Sequence, residues 1–182
     1  MGLIELQNKI HQQNVEAGWW DKERSFSRLT NLGVSEISEA VEAHRKNLND
    51  DKLTKYHGIP VEAVDGAIRT LDVLCSLGNK GFECSTKTKG FIKDKGDDVE
   101  FLMSFATYQL TTAWANKEFG GYRWGCQGLV MENLRDALFI MFEIVRMYNL
   151  DPISLILEKL EYNKNRPDHQ IQNRQQEHGK QY

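Results

Sequence analysis

The chain has 182 residues, of which 40% are hydrophobic and 27% are charged, and its formal net charge is -3. This composition is typical of a globular protein with one well-buried core, and it lacks the basic excess typical of nucleic-acid binding. No apolar run approaches the roughly eighteen residues that a membrane helix requires. Three cysteines without a CxxC spacing indicate neither a disulfide framework nor a zinc site. We therefore expect a cytoplasmic protein that binds neither nucleic acid nor membranes.

Apolar residues recur every three or four positions without sustained alternation, which predicts an all-α protein. We expect a bundle of about six helices with a core of four. The predicted helices cover residues 3–17, 26–45, 60–77, 97–119, 129–148 and 152–165. Ser25 and Asp151 are typical N-caps, and Gly18 is a typical helix end. Gly33 and Gly66 lie inside predicted helices, where they would permit close helix approach at a cost of roughly 1 kcal/mol each relative to Ala.

The stretch 78–96 is rich in Gly, Lys, Ser and Thr and has little periodicity, so we predict an exposed connection there. The whole of 1–167 is predicted to form a single domain, in which residues 79–150 are an inserted or duplicated helical pair. The tail, 168–182, is almost devoid of apolar residues, and we expect it to be disordered.

A possible internal repeat aligns residues 65–72 with residues 136–143 and keeps both terminal acids. The amphipathic pattern alone explains this match as well as a duplication does. Glu100 is followed three residues later by Met103, so the second half offers no facing pair of carboxylates. We therefore predict that Asp136 and its helix have a structural role.

Two short stretches carry carboxylates three residues apart: Glu36 and Glu39 in the second predicted helix, and Glu62 and Asp65 in the third. Positions i and i+3 share one face of a helix, so each stretch can present a carboxylate pair. Taken alone, the first pair is also typical of a solvated surface.

The second stretch continues through Arg69 to Asp72 on the same face, which makes that face strongly acidic. If the two acidic faces converge, charges about 4 Å apart repel by roughly 4 kcal/mol at an effective dielectric of 20. Such a cluster requires a cation, and oxygen ligands favour Mg²⁺.

The order ExxE, twenty-two intervening residues and ExxD resembles the all-α NTP pyrophosphatase superfamily, and within it the MazG-like proteins of phages and bacteria. Flanking stretches match these proteins in the same order. They are GWWD at 18–21, SEISEA at 35–40, GIPVE at 58–62, IRTLD at 68–72 and EKLEYNKNRP at 158–167.

This resemblance implies Mg²⁺-dependent hydrolysis of a (d)NTP to the monophosphate and pyrophosphate, with Mn²⁺ as a possible substitute for Mg²⁺. Glu36, Glu39, Glu62 and Asp65 are the implied metal ligands. Glu39 or Glu36 is the predicted general base, and Asp72 is either an extra ligand or a residue that orients one.

The resemblance also implies a homodimer or higher homo-oligomer, and its C-terminal motif implies that Tyr162, Asn163 and Arg166 contact the substrate. The flat ring of Trp20 and the charges of Lys55 and Arg69 suggest further contacts. The predicted contacts are Trp20, Lys55, Arg69, Tyr162, Asn163 and Arg166. Trp19 and Trp20 fit either a buried core or a base-stacking platform, and we expect Lys22 and Lys159 to be solvated. Three other readings stay open: a dUTPase-like or phosphoribosyl-ATP-like enzyme, a catalytically dead nucleotide-binding protein, and a helical adaptor.

Overall fold

The computed structural model describes residues 1–120 and 126–164. Within these ranges the chain forms helices and no strand, which confirms the all-α prediction. The described helices are α1 (Leu3–Glu16), α2 (Phe26–Lys46), α3 (Gly58–Ser76), α4 (Thr86–Lys95), α5 (Val99–Phe119), α6 (Cys126–Met147) and α7 (Pro152–Lys164). None of them combines the length and apolar character needed to cross a bilayer. The predicted disordered tail and Arg166 lie outside the described residues.

Four helices form the central bundle: α2 packs on α3, α3 on α6, α6 on α5, and α5 on α2. Helices α1 and α7 also pack on α3. Fourteen of the 19 residues of α3 are buried as a result. The helix that carries the second acidic stretch is therefore the centre of the molecule.

Two helical glycines allow the bundle helices to approach closely, as predicted. A Cβ atom on Gly66 would lie 2.8 Å from Met141 Sδ of α6 and 3.6 Å from Ile37 Cδ1 of α2. A Cβ atom on Gly33 would lie 3.1 Å from Leu110 Cδ1 of α5. The missing side chain at Gly66 therefore lets α6 approach α3 closely, next to the second acidic stretch.

The predicted helix ends at three positions are confirmed. Ser25 accepts a hydrogen bond from the Arg28 amide at 3.3 Å at the start of α2, and Asp151 accepts one from the Ser154 amide at 2.8 Å at the start of α7. Gly18 has a φ of 72°, the left-handed conformation that follows many helix ends.

Helix α4 corrects the prediction of six helices, because it lies in the stretch that we predicted as an exposed connection. Among its residues only Thr88 is buried, which agrees with the lack of a periodic apolar pattern in this stretch. Ile92 packs partly buried against the core, and Phe91 contacts the rings of Phe101 and Phe105. The start of the helix is also anchored by polar contacts with Asp136 of α6. Asp136 accepts hydrogen bonds from the Ser85 amide (2.8 Å), the Ser85 hydroxyl (2.6 Å) and the Thr88 hydroxyl (2.8 Å).

We expect Asp136→Asn to loosen α4 while any catalytic turnover stays within a few-fold of the parent. Asp136 is 2% exposed, and its replacement removes charge-assisted hydrogen bonds worth about 2 kcal/mol in total. Hydrogen exchange of residues 85–95, together with thermal melting, measures the loosening. Unchanged exchange in this helix would contradict the anchoring role.

Candidate metal centre

One carboxylate oxygen from each of Glu36, Glu62 and Asp65 lies within 4.8 Å of the other two. We call these three side chains the acid cluster. Glu36 on α2 is 9% exposed, and the two residues on α3 are half-buried. The α2–α3 packing therefore brings together three of the four predicted ligands.

Glu39, the fourth predicted ligand, is exposed and stands outside this group. Its negative charge nevertheless contributes to raising the pKa of Glu36 and of Glu62, so it lies within electrostatic reach of both. Glu39 is thus a solvent-accessible carboxylate at the edge of the acid cluster.

Two cationic side chains contact the acid cluster. Arg69 Nε donates to Glu36 Oε1 at 3.2 Å, and Lys159 Nζ lies 2.8 Å from Asp65 Oδ2. The prediction that Lys159 is solvated is wrong, because its side chain is 1% exposed. It lies between Asp65 and Asp50, whose Oδ2 is 4.0 Å from the ammonium nitrogen. A buried ammonium requires such anionic neighbours, since desolvating it alone is costly.

Two carboxyl groups of the cluster, Glu36 and Glu62, have a raised pKa. Burial and, next, the charge of Asp65 raise the pKa of Glu62 to about 8. Burial also raises the pKa of Glu36, despite the opposing effect of Arg69. Two cations offset only part of the charge of the three cluster carboxylates and Glu39, so the site retains the oxygen ligands and the negative charge that a hard divalent cation requires.

The raised pKa of Glu62 predicts a pH dependence in metal-free protein. Because folding raises this pKa from 4.5 to about 8, the stabilising contribution of Glu62 is fully present below pH 4.5 and is lost as the pH rises to about 8. Mg²⁺ requires the carboxylate, so its affinity should rise over the same window. Thermal melting in EDTA across this range should show a steeper decline in the parent than in Glu62→Gln, and parallel curves would contradict the prediction.

Asp72 lies outside the acid cluster, although it shares α3 with Glu62 and Asp65. It is 3% exposed. His11 Nδ1 lies 2.6 Å from its Oδ1, Asn14 Nδ2 donates to its Oδ2 at 2.7 Å, and Trp20 Nε1 contacts both oxygens at 3.1 and 3.2 Å. Both oxygens are therefore engaged in anchoring α1 and the turn after it on α3.

The predicted substrate contacts are dispersed over several environments. Trp20 is half-buried, and its indole nitrogen is engaged by Asp72. Lys55 is exposed and forms an ion pair with Glu158 at 2.9 Å. Of this set, Arg69 is the residue that hydrogen-bonds the acid cluster.

Two further residues predicted to bind substrate, Tyr162 and Asn163, lie near the end of α7. Tyr162 packs partly buried against the core. Asn163 lines a groove of about 460 Å³ between α1 and α7. Its buried Oδ1 has no hydrogen-bond partner among the described residues.

The position of Lys159 on its helix indicates burial, although its charge led us to expect exposure. Leu155, Ile156 and Leu160 are buried on α7, and position 159 falls on their stripe at the i+3 and i+4 spacings. The partnership with Asp50 has no such local signal, because 109 positions separate the two residues in the chain.

Comparisons of the chain with protein-family models, with curated proteins and with solved structures found no match. The function is therefore argued from the residues and geometry of the acid cluster.

Proposed function

We propose that the protein is a Mg²⁺-dependent nucleoside triphosphate pyrophosphohydrolase that converts a (d)NTP to the monophosphate and pyrophosphate. The observation that carries this proposal is the acid cluster itself: three oxygen ligands from two helices within 4.8 Å, with Glu36 buried. Carboxylates that are brought together in this way repel each other, and a hard dication relieves that repulsion. The resemblance of the two acidic stretches and their flanks to MazG-like proteins supports the same activity.

In this proposal Glu36, Glu62 and Asp65 hold the metal. When bound, Mg²⁺ would offset the charge of the phosphoryl oxygens and lower the pKa of the attacking water. Glu39 accepts the proton of that water at its carboxylate, because it is the exposed acid at the edge of the cluster.

Arg69 and Lys159 have a positioning role in the same proposal. Each holds one carboxylate of the cluster through a single contact, Arg69 on Glu36 at 3.2 Å and Lys159 on Asp65 at 2.8 Å. A ligand that is held in one orientation loses less entropy when it binds the metal.

The homodimer or higher homo-oligomer stays a prediction, which the exposed Phe119 (75%) and Tyr108 (54%) support.

A nucleotide panel tests the activity. Canonical and modified ribo- and deoxyribonucleoside triphosphates are incubated with the protein and Mg²⁺, and the products are separated by chromatography. We expect a monophosphate and pyrophosphate to appear only when Mg²⁺ is present. Turnover confined to dUTP or to phosphoribosyl-ATP would assign the narrower enzyme.

Two results would overturn the proposal. Binding of triphosphate and Mg²⁺ without release of pyrophosphate would indicate a catalytically dead nucleotide-binding protein. An absence of any Mg²⁺-induced shift in melting temperature, together with no turnover, would indicate a helical adaptor.

A further inference from the structure

Trp19 is covered by two guanidinium groups. The central carbon of Arg24 lies 4.3 Å from the centroid of the indole ring, and that of Arg69 lies 5.2 Å from it. The tryptophan is 4% exposed. Its π-face therefore supports arginine side chains through cation–π contacts and is not an open platform for a base.

Arg24 lacks the neutralising partner that a partly buried guanidinium usually has. Its Nη1 donates to the Lys22 carbonyl at 3.3 Å. Its buried Nε has no hydrogen-bond partner among the described residues, and no described carboxylate lies within ion-pair distance. Burial and the charge of Arg28 lower the pKa of Arg24, whereas Asp72 and Asp21 act in the opposite direction. A buried donor without an acceptor requires an explanation, and an anionic ligand supplies one.

Arg69 contacts both Trp19 and the acid cluster. Its Nε donates to Glu36, while the same guanidinium contacts Trp19, the ring that Arg24 also contacts. This Nε contact is the hydrogen bond that Arg69 makes within the described chain, so its two terminal nitrogens remain available as donors. Positive charge and the acid cluster thus meet at one side chain.

A groove of about 560 Å³ runs along the first turns of α2. Its lining is Ser25, Ser27, Arg28, Asn31, Leu32 and Ser35. Arg28 lines this groove, and its charge acts on Arg24. Glu36 follows directly after Ser35, the last lining residue, and Glu39 comes three residues later. No carboxylate lines the groove, and its volume falls within the usual range of roughly 300–1,000 Å³ for small-ligand sites.

We propose that Arg24, Arg28 and Arg69 bind the phosphate oxygens of the triphosphate, with the groove on α2 holding an adjoining part of the same ligand. This proposal rests on the proposed function, whose metal centre would bind the same phosphate chain. Planar guanidinium groups suit this task because each presents a rigid fork of donors to phosphate oxygens. None of the three arginines needs to touch the reacting water.

The test compares Arg24→Gln and Arg28→Gln with a matched control, Arg45→Gln. Arg45 is an exposed arginine in the last turn of α2. Binding of inorganic tripolyphosphate is measured by calorimetry in EDTA, and KM and kcat are measured with the best nucleotide and Mg²⁺. We expect each of the two variants to weaken tripolyphosphate binding and raise KM about tenfold, the loss of one charge-assisted contact, with a smaller change in kcat. Arg45→Gln should match the parent.

The outcomes separate this proposal from the proposed function. Parent-like tripolyphosphate binding in both variants would overturn the arginine site, even if the enzyme turns over normally. Arginine-dependent tripolyphosphate binding in a protein without turnover would support the anion site and sink the hydrolase proposal. Because Arg24 also packs on Trp19, Arg24→Lys serves as a second variant. It keeps the charge, so it should bind tripolyphosphate more tightly than Arg24→Gln does. A purely structural role of Arg24 would instead lower the melting temperature of both variants and leave their affinity for tripolyphosphate equal to that of the parent.

Discussion

Glu62→Gln should lower the rate of pyrophosphate release by more than about a hundredfold, because loss of a residue that merely supports a metal ligand already costs roughly 10–100-fold. The substitution removes one ligand charge at nearly constant volume. Glu62 makes no hydrogen bond or ion pair within the described structure, whereas Glu36 and Asp65 each hold a cationic side chain. Glu62→Gln is therefore the acid-cluster variant with the least effect on the fold. Release of pyrophosphate at saturating Mg²⁺ is the measurement.

A matched control for this variant is Glu42→Gln. Glu42 is an exposed glutamate on α2 that pairs with Lys46, and surface pairs of this kind contribute little to stability. Its turnover should equal that of the parent. Activity of Glu62→Gln within tenfold of the parent would remove Glu62 from the metal centre. Asp65→Asn should be equally inactive, but it also leaves the Lys159 ammonium without its closest partner.

Lys159→Met should destabilise the metal-free protein by about 3 kcal/mol, the order expected when one member of a buried ion pair is removed. The lysine is 1% exposed, and its partner Asp65 is 19% exposed. For a chain of this size the loss corresponds to a fall in melting temperature of about 6–12 °C. Methionine keeps most of the volume of the side chain, so the effect reports the charge. A fall of less than 2 °C in EDTA would show that the pair contributes little.

The same variant should respond more strongly to Mg²⁺ than the parent does. Removing the ammonium leaves the Asp65 carboxylate with a larger uncompensated charge, so a dication in the acid cluster gains more. We expect a larger Mg²⁺-induced rise in melting temperature for Lys159→Met than for the parent. The double variant Lys159→Met/Asp65→Asn should lose both the extra Mg²⁺ response and part of the destabilisation, which a double-mutant cycle measures. Equal Mg²⁺ responses in parent and single variant would place the metal away from Asp65.

Local signals in the sequence predicted the helices of the bundle and most of their ends. The apolar spacing that defines a helix, the Ser25 and Asp151 caps and the Gly18 end all act within about one turn of chain. The same locality limited the prediction of α4, which has one buried residue and depends on Asp136, 48 positions beyond Thr88. A helix that is held by a distant carboxylate has no periodic apolar stripe to reveal it.

The features of the candidate site also divide into those that local sequence predicts and those that depend on long-range contacts. The sequence by itself determined that Glu36 and Glu39 share one face of their helix and that Glu62 and Asp65 share one face of the next. The i+3 spacing and the helical pitch are properties of the local backbone. Only the tertiary structure decided which charges meet: it buries Lys159 between Asp50 and Asp65, leaves Glu39 at the solvent edge, and directs Asp72 toward α1. These outcomes depend on how α1, α2 and α7 pack around α3, and packing joins residues whose separation along the chain carries no periodic signal.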